Sequence, residues 1–103
     1  MNSQVYNRIT DLNKKENRKV YISDKVTKLI EEVGEFSAVH LEDIGYKYVK
    51  EKRSEEEKRK HALEELCDMH IMVLDIFAHY GFTEDEIIKM TNKKIDKWEN
   101  YIK

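Results

Sequence analysis

Two pairs of acidic residues recur at the same short spacing in separate parts of the chain. Glu32 and Glu35 lie in the segment EEVGE that begins at Glu31, and Glu65 and Asp68 repeat their spacing later. On an α-helix this spacing places two side chains on neighbouring turns, about 60° apart around the axis. Carboxylates held so close repel one another, and a hard divalent cation that prefers oxygen ligands relieves the repulsion. The sequence therefore predicts a Mg²⁺ site, which Mn²⁺ could also fill, where two helices bring these acids together.

The elements that must position these acids are predicted to be helices. Proline is absent and glycine occurs three times, so little interrupts long regular elements. Ser54 with Glu57, and Thr83 with Glu86, have the spacing of capping boxes that open helices, and Gly81 is a typical helix stop. Ser23 is a plausible N-cap for the helix that carries the first acidic pair. The predicted elements are a short helix over 3–12, a linker over 13–19, a helix over 23–47, a charged turn within 50–60, a helix from Ser54 to Gly81, and a last helix to the end.

Apolar residues recur at helical spacing on the two helices that carry the acids. On the second helix these are Val26, Leu29, Ile30, Val33, Phe36 and Ile44, and on the third they are Ala62, Leu66, Met69, Val73, Ile76, Phe77 and Tyr80. Projection at about 100° per residue places each acidic pair beside its apolar stripe. The fold class is therefore predicted as all-α, an antiparallel helical bundle that a second subunit completes.

Composition limits the classes of protein that fit. The 103 residues are enough for one domain, and their formal charge of −2 gives no general attraction to nucleic acid. Cys67 is the single cysteine, so an internal disulfide is impossible and a reducing compartment is favoured. The N-terminus lacks the apolar run of a signal peptide, and no segment has the length of a membrane span. We expect a cytoplasmic protein that binds neither membranes nor nucleic acid polymers.

The acidic motif resembles that of a known family. EEVGE, preceded by Lys28 and followed by Phe36, and the later Glu65-Leu-Cys-Asp68 are similar to the E-E-x-x-E and E-x-x-D halves of the MazG-like nucleotide pyrophosphohydrolases, with a somewhat longer spacer here. The resemblance covers roughly residues 23–103. It implies a single MazG-like domain over 1–103, with a short helix and linker over 1–20 and the core helices over 23–103. The fold implied is the all-α NTP pyrophosphatase type, assembled as a homodimer or a dimer of dimers.

The resemblance also implies an activity and a set of site residues. Its Mg²⁺ ligands correspond to Glu32, Glu35, Glu65 and Asp68, with Glu31 as a supporting or water-orienting carboxylate. The reaction implied is attack of water at the α-phosphorus of a nucleoside triphosphate, which yields the monophosphate and pyrophosphate. A basic stretch in the last helix resembles the family's phosphate-binding segment, with lysine where arginine is common. Its implied substrate-binding residues are Asn92, Lys93, Lys94 and Lys97.

Two other functions remain open from the sequence. A phosphoribosyl-ATP pyrophosphatase would use a similar fold and similar carboxylates, and a non-enzymatic helical interaction or regulatory protein would need no metal. A di-iron bundle is disfavoured, because no histidine follows a glutamate at the Glu-x-x-His spacing. His40 and His70 are interpreted as packed core residues, and His61 as a solvated residue near a helix start. Asp75, which continues the acidic edge beyond Asp68, is a minor candidate for the site.

Overall fold

The described part of the chain is built from four α-helices. The computed structural model describes residues 3–16, 21–45 and 52–102, and within these ranges it contains no β-strand. The helices are α1 (Ser3–Lys15), α2 (Ile22–Asp43), α3 (Glu55–His79) and α4 (Glu84–Ile102). The prediction of an all-α fold is confirmed, and residues 13–15 of the predicted linker are helical. Residues 17–19 of that linker, 46–47 of the predicted second helix and 50–51 of the charged turn lie outside the described residues.

Three helix ends, two of α3 and one of α4, follow from local sequence. Ser54 and Glu57 form the predicted capping box at the start of α3, and the Ser54 hydroxyl lowers the pKa of Glu57 by hydrogen bonding to it. Thr83 and Glu86 exchange the equivalent hydrogen bonds at the start of α4, at 3.1 and 3.2 Å. Gly81 follows α3 with a φ of 75°, a conformation that glycine adopts without a Cβ clash. These three predictions are confirmed.

Helix α2 starts near Ser23 as predicted, but the choice of Ser23 as its N-cap is wrong. The N-cap is Tyr21, which makes no side-chain capping hydrogen bond, and Ser23 lies inside the helix. The backbone N–H groups of Asp24 and Lys25 donate to the carbonyl of Tyr21 at 3.0 and 3.3 Å, so the helical hydrogen bonds already begin at that residue. The α2 helix therefore starts at Ile22, one residue before the predicted start of the core helices at residue 23.

Helices α2 and α3 form an antiparallel pair, as the contacts at their two ends show. Lys25 in the first turn of α2 pairs with Asp75 near the end of α3. At the other end, Asp43 closes α2 and accepts two hydrogen bonds of 2.6 Å from Arg53, just before α3. Because both ends are fixed, the middle of α2 lies opposite the middle of α3, where the two acidic pairs are found.

A small core joins α1 to the C-terminal half of α3. Tyr6 and Ile9 of α1, Leu74 of α3 and Ile87 of α4 are its buried residues. The Tyr6 hydroxyl donates a 2.6 Å hydrogen bond to the backbone carbonyl of Phe82, and burial raises the pKa of Tyr6. Tyr6 thus anchors α1 against the turn that connects α3 to α4.

Much of the predicted core is exposed in the isolated chain. On α2 and α3, Ile30 is 66% and Leu66 51% exposed, and Val26, Val33, Ile44, Val73 and Tyr80 are exposed too. Every residue of α4 after Ile87 is exposed. The radius of gyration is 16.9 Å, against about 13 Å for a compact chain of this length. The two predicted apolar stripes are therefore not covered within a single chain. No helix in the described part of the chain is long and apolar enough to cross a membrane.

Candidate metal centre

Three of the four predicted ligands converge where α2 and α3 face each other. Glu32 from α2 and Glu65 and Asp68 from α3 each offer a carboxylate oxygen, and these three oxygens lie within 4.8 Å of one another. We call this group the carboxylate cluster. Glu32 and Glu65 are half-buried and Asp68 is exposed, so the cluster lies at the edge of the helix pair and is open to solvent. An ion and a substrate could therefore both reach it.

The donor set of the carboxylate cluster fits Mg²⁺. Oxygen ligands on opposite sides of Mg²⁺ lie about 4.2 Å apart, since each Mg–O distance is about 2.1 Å. The 4.8 Å limit on the oxygen separations exceeds this by about 0.6 Å, a gap that rotation of a carboxylate can close. All three donors are hard anionic oxygens, which suit Mg²⁺ and Mn²⁺ better than softer metals. Mg²⁺ usually retains several waters, so a few protein ligands are sufficient.

Lys28 supplies a positive charge beside the carboxylate cluster. Its Nζ lies 3.3 Å from Glu32 Oε1 and 3.8 Å from Glu31 Oε2. Interaction with the Glu32 carboxylate raises the pKa of Lys28. The sequence interpretation gave Lys28 no role, although its position four residues before Glu32 is the spacing at which side chains on a helix meet. The Lys28 ammonium group thus partly neutralises the negative charge of Glu32, which a bound metal ion would also neutralise.

The other two predicted acids lie next to the cluster and not within it. Glu35 is exposed one turn after Glu32, and it is absent from the group whose oxygens lie within 4.8 Å. Glu31 has a side chain that is 57% exposed, and its closest ionic partner is Lys28. The structure therefore brings together one acid of the first pair and both acids of the second pair.

The predicted phosphate-binding residues are separate from the cluster in a single chain. Asn92, Lys93, Lys94 and Lys97 are all exposed on α4. In the part of the chain that the structure describes, no hydrogen bond or ion pair joins them to the three acids. Asn92 and Lys97 also point about 140° apart around the helix axis, so α4 does not present them on one face.

The structure revises the interpretation of three histidines. His40 and His70 are exposed, so their assignment to the core is wrong; His40 stacks on Phe36 with ring centroids 6.1 Å apart. His61 was interpreted as solvated, but it is half-buried, and its Nε2 is shielded from solvent without a hydrogen-bond partner in the described ranges. The residues around His61 in the sequence did not indicate that its side chain would be half-buried with an unpaired nitrogen.

A separate polar network holds α1 against the two helices that carry the acids. Lys25, with a side chain only 9% exposed, bonds to Glu16 at 2.6 Å and to Asp75. Asn13 of α1 donates to Asp75 Oδ1 at 2.8 Å. Burial opposes the charge of Lys25, but hydrogen bonds to Asp75 and Glu16 outweigh it and raise the pKa of Lys25. Asp75 is thus engaged in packing, away from the carboxylate cluster.

Comparison with known proteins adds no further constraint. No protein-family model, curated protein or solved structure matches this chain.

Proposed function

We propose that this protein is a Mg²⁺-dependent nucleotide pyrophosphohydrolase of the MazG-like type. It would cleave nucleoside triphosphates, with ribose or deoxyribose, to the monophosphate and pyrophosphate. The observation that carries the proposal is the convergence of Glu32, Glu65 and Asp68 from two antiparallel helices. Anionic oxygens gathered at an accessible surface are suited to hold a divalent cation beside a polyphosphate.

In this proposal each acid has a defined role. Glu32, Glu65 and Asp68 hold the metal, and Glu35 joins them by a change of side-chain rotamer. Mg²⁺, when bound, would supply positive charge to the phosphates and make water more acidic. Water forms a bond to the α-phosphorus while the bond from that phosphorus to the bridging oxygen breaks, so pyrophosphate leaves. Glu31, which is exposed beside the cluster, would orient the water and accept its proton.

We also propose that two or more copies of the chain assemble. The chain exposes 8866 Å², whereas a compact monomer of its mass exposes about 6,100 Å². The excess of roughly 2,700 Å² per chain is of the size buried in obligate dimers. The exposed apolar stripe of α2, with Val26, Ile30 and Val33, is the natural surface for a second copy. Assembly as a dimer or a dimer of dimers would also give α4 a surface to pack against.

The proposed reaction suits the cytoplasm, where nucleoside triphosphates are abundant. An exposed thiol such as Cys67 is also compatible with reducing conditions. Phosphoribosyl-ATP belongs among the substrates to be tested, because its cleavage needs the same metal-bound polyphosphate geometry. A non-enzymatic interaction protein differs from both enzymes in that it needs no divalent ion.

The test is a screen for pyrophosphate release over canonical and modified nucleotides and phosphoribosyl-ATP, with Mg²⁺ or with a chelator. Wild type is compared with Glu65→Gln and Glu35→Gln. Glu64→Gln is the matched control, because Glu64 is an exposed neighbour outside the cluster. We expect Mg²⁺-dependent pyrophosphate release that is almost lost in the first two variants and kept in the control. Release of orthophosphate alone, or no hydrolysis of any substrate together with no effect of Mg²⁺ on the melting temperature, would reject the proposal.

A further inference from the structure

A cleft of about 390 Å³ opens between the end of α2 and the start of α3. Its lining combines aromatic and imidazole rings with two bases and two acids: Phe36, His40, His61, Lys58, Arg59, Asp43 and Glu55. We call it the cationic cleft. Its volume lies within the range of small-molecule sites, and the sequence interpretation assigned no function to it.

The acids that line the cationic cleft are neutralised by basic neighbours. Asp43 accepts a bidentate interaction from Arg53, with both Nη2 distances at 2.6 Å. Glu55 pairs with Lys58 at 3.0 Å, and Lys58 also donates to the carbonyl of Asp43. Arg59 has no carboxylate within ion-pair distance anywhere in the described ranges. The cleft therefore presents a guanidinium group that is available to an anion.

His61 adds a second group that lacks a partner. Its Nε2 is shielded from solvent and makes no hydrogen bond to any described residue. Buried polar atoms in folded proteins are nearly always paired, so an orphaned one calls for a missing partner. A turn of the imidazole ring about its χ2 bond would present a ring nitrogen to the cleft, where the oxygen of an anion could complete its hydrogen bonding.

The cationic cleft lies one helical turn from the carboxylate cluster on both helices. Phe36 follows Glu32 by four residues on α2, and His61 precedes Glu65 by four residues on α3. Side chains with this spacing have Cβ atoms about 6 Å apart. A phosphate chain held at the carboxylates can therefore extend directly into the cleft.

A second cleft on the opposite side of the cluster has a different charge. It is lined by Glu16, Asp24 and Asp75 together with Lys25 and Lys28. Lys25 is already bonded to two of these acids, and Lys28 contacts Glu32. Since three acids there face two bases, this second cleft is less favourable to a phosphate than the cationic cleft. The charges thus favour a polyphosphate that runs from the carboxylate cluster into the cationic cleft and not into the second cleft.

We propose that the cationic cleft binds the β- and γ-phosphates of the substrate, and then the pyrophosphate product, through Arg59 and His61. This inference rests on the proposed function and gives its substrate an orientation, with the nucleoside directed away from the cationic cleft. It assigns to residues of α3, within a single chain, a phosphate contact that the family resemblance gave to residues of α4.

Binding of inorganic pyrophosphate to the intact protein, measured by calorimetry in a chelator at low ionic strength, tests the inference without any hydrolysis. The variants are Arg59→Gln and, as a matched control, Lys60→Gln, which removes an equal charge from an adjacent exposed residue outside the cleft. Loss of a charge-assisted contact should weaken binding about tenfold or more in Arg59→Gln, and by less than about twofold in the control. Circular dichroism verifies that each variant is folded.

The outcomes separate this inference from the proposed function. Three results would overturn the inference, whether or not the enzyme is active. The two variants could bind pyrophosphate with equal affinity, or wild type could fail to bind it. A nucleoside monophosphate could also bind more tightly than pyrophosphate in a manner that depends on Arg59. Arg59-dependent pyrophosphate binding supports the inference. If the protein then hydrolyses no nucleotide, the proposed function fails while the anion site stands.

Discussion

Replacing one isoleucine that is exposed in the single chain should strongly weaken assembly of the protein, because we expect a second copy to cover it. Ile30 lies in the unpartnered apolar stripe of α2 and is 66% exposed. Complete burial of an isoleucine side chain contributes about 2 kcal/mol. Covering the exposed two-thirds in an interface would therefore contribute about 1.3 kcal/mol per chain. A symmetric dimer contains the residue twice, which gives about 2.6 kcal/mol, or nearly a hundredfold in the dissociation constant.

The assay is analytical ultracentrifugation of wild type and Ile30→Gln over a range of concentrations. Glu64→Gln serves as control, because it changes an exposed polar residue of α3 that is not part of the apolar stripe of α2. We expect the wild type to be a dimer or larger, Ile30→Gln to dissociate at about hundredfold higher concentration, and the control to match wild type. A wild type that sediments as a monomer at all concentrations, or an Ile30→Gln variant as tightly assembled as wild type, would refute the reasoning from exposed apolar area.

Three further predictions concern stability and are measured by urea denaturation. Tyr6→Phe removes the hydrogen bond to the Phe82 carbonyl and should cost about 1 kcal/mol, and a variant as stable as wild type would contradict this. Lys25→Met leaves Asp75 without its cation and should cost about 2 kcal/mol at neutral pH. The folded-state pKa of Lys25 is raised above 10.5. The stabilisation from its ion pair is therefore complete below pH 10.5 and is lost as the pH rises through the folded-state pKa. A stability difference between wild type and Lys25→Met that grows in that pH range would contradict this reasoning. Thr83→Ala removes the α4 cap and should cost about 1 kcal/mol, whereas no change would argue against the capping box.

Helix ends that depend on adjacent residues could be predicted from the sequence. The Ser54 box and the Gly81 stop involve partners within three or four positions, so their geometry is fixed locally. Ser23 shows the limit of this approach, because its residue type suits an N-cap but the first helical hydrogen bonds reach back to Tyr21. The choice between neighbouring caps depends on how the preceding chain enters the helix, which residue type does not specify.

The carboxylate cluster was only partly predictable for a similar reason. Helical spacing fixes Glu65 relative to Asp68, but the rotation of α2 against α3 decides whether Glu32 or Glu35 faces them. That rotation depends on contacts remote from the motif, such as the one between Lys25 and Asp75. The sequence motif therefore predicts which helix segments carry the carboxylate cluster more reliably than which acids belong to it.

The apolar pattern identified helix faces but not what covers them. Ile30 and Leu66 belong to the predicted apolar stripes, yet both are exposed in the single chain, whereas the buried residue of α3 is Leu74, which the predicted stripe did not include. Periodicity records that a face is apolar, and it carries no information on whether the same chain or another copy packs against it. The same limit applies to α4, whose apolar residues beyond Ile87 remain exposed.

Binding of Mn²⁺, followed by electron paramagnetic resonance as the free-ion signal disappears, tests the convergence of Glu32, Glu65 and Asp68 most directly. We predict saturable binding to wild type, competition by Mg²⁺, a large loss of affinity in Glu65→Gln and Asp68→Asn, and unchanged affinity in Glu64→Gln. Equal affinities in all four proteins, or no saturable binding to wild type, would contradict a metal centre at this site.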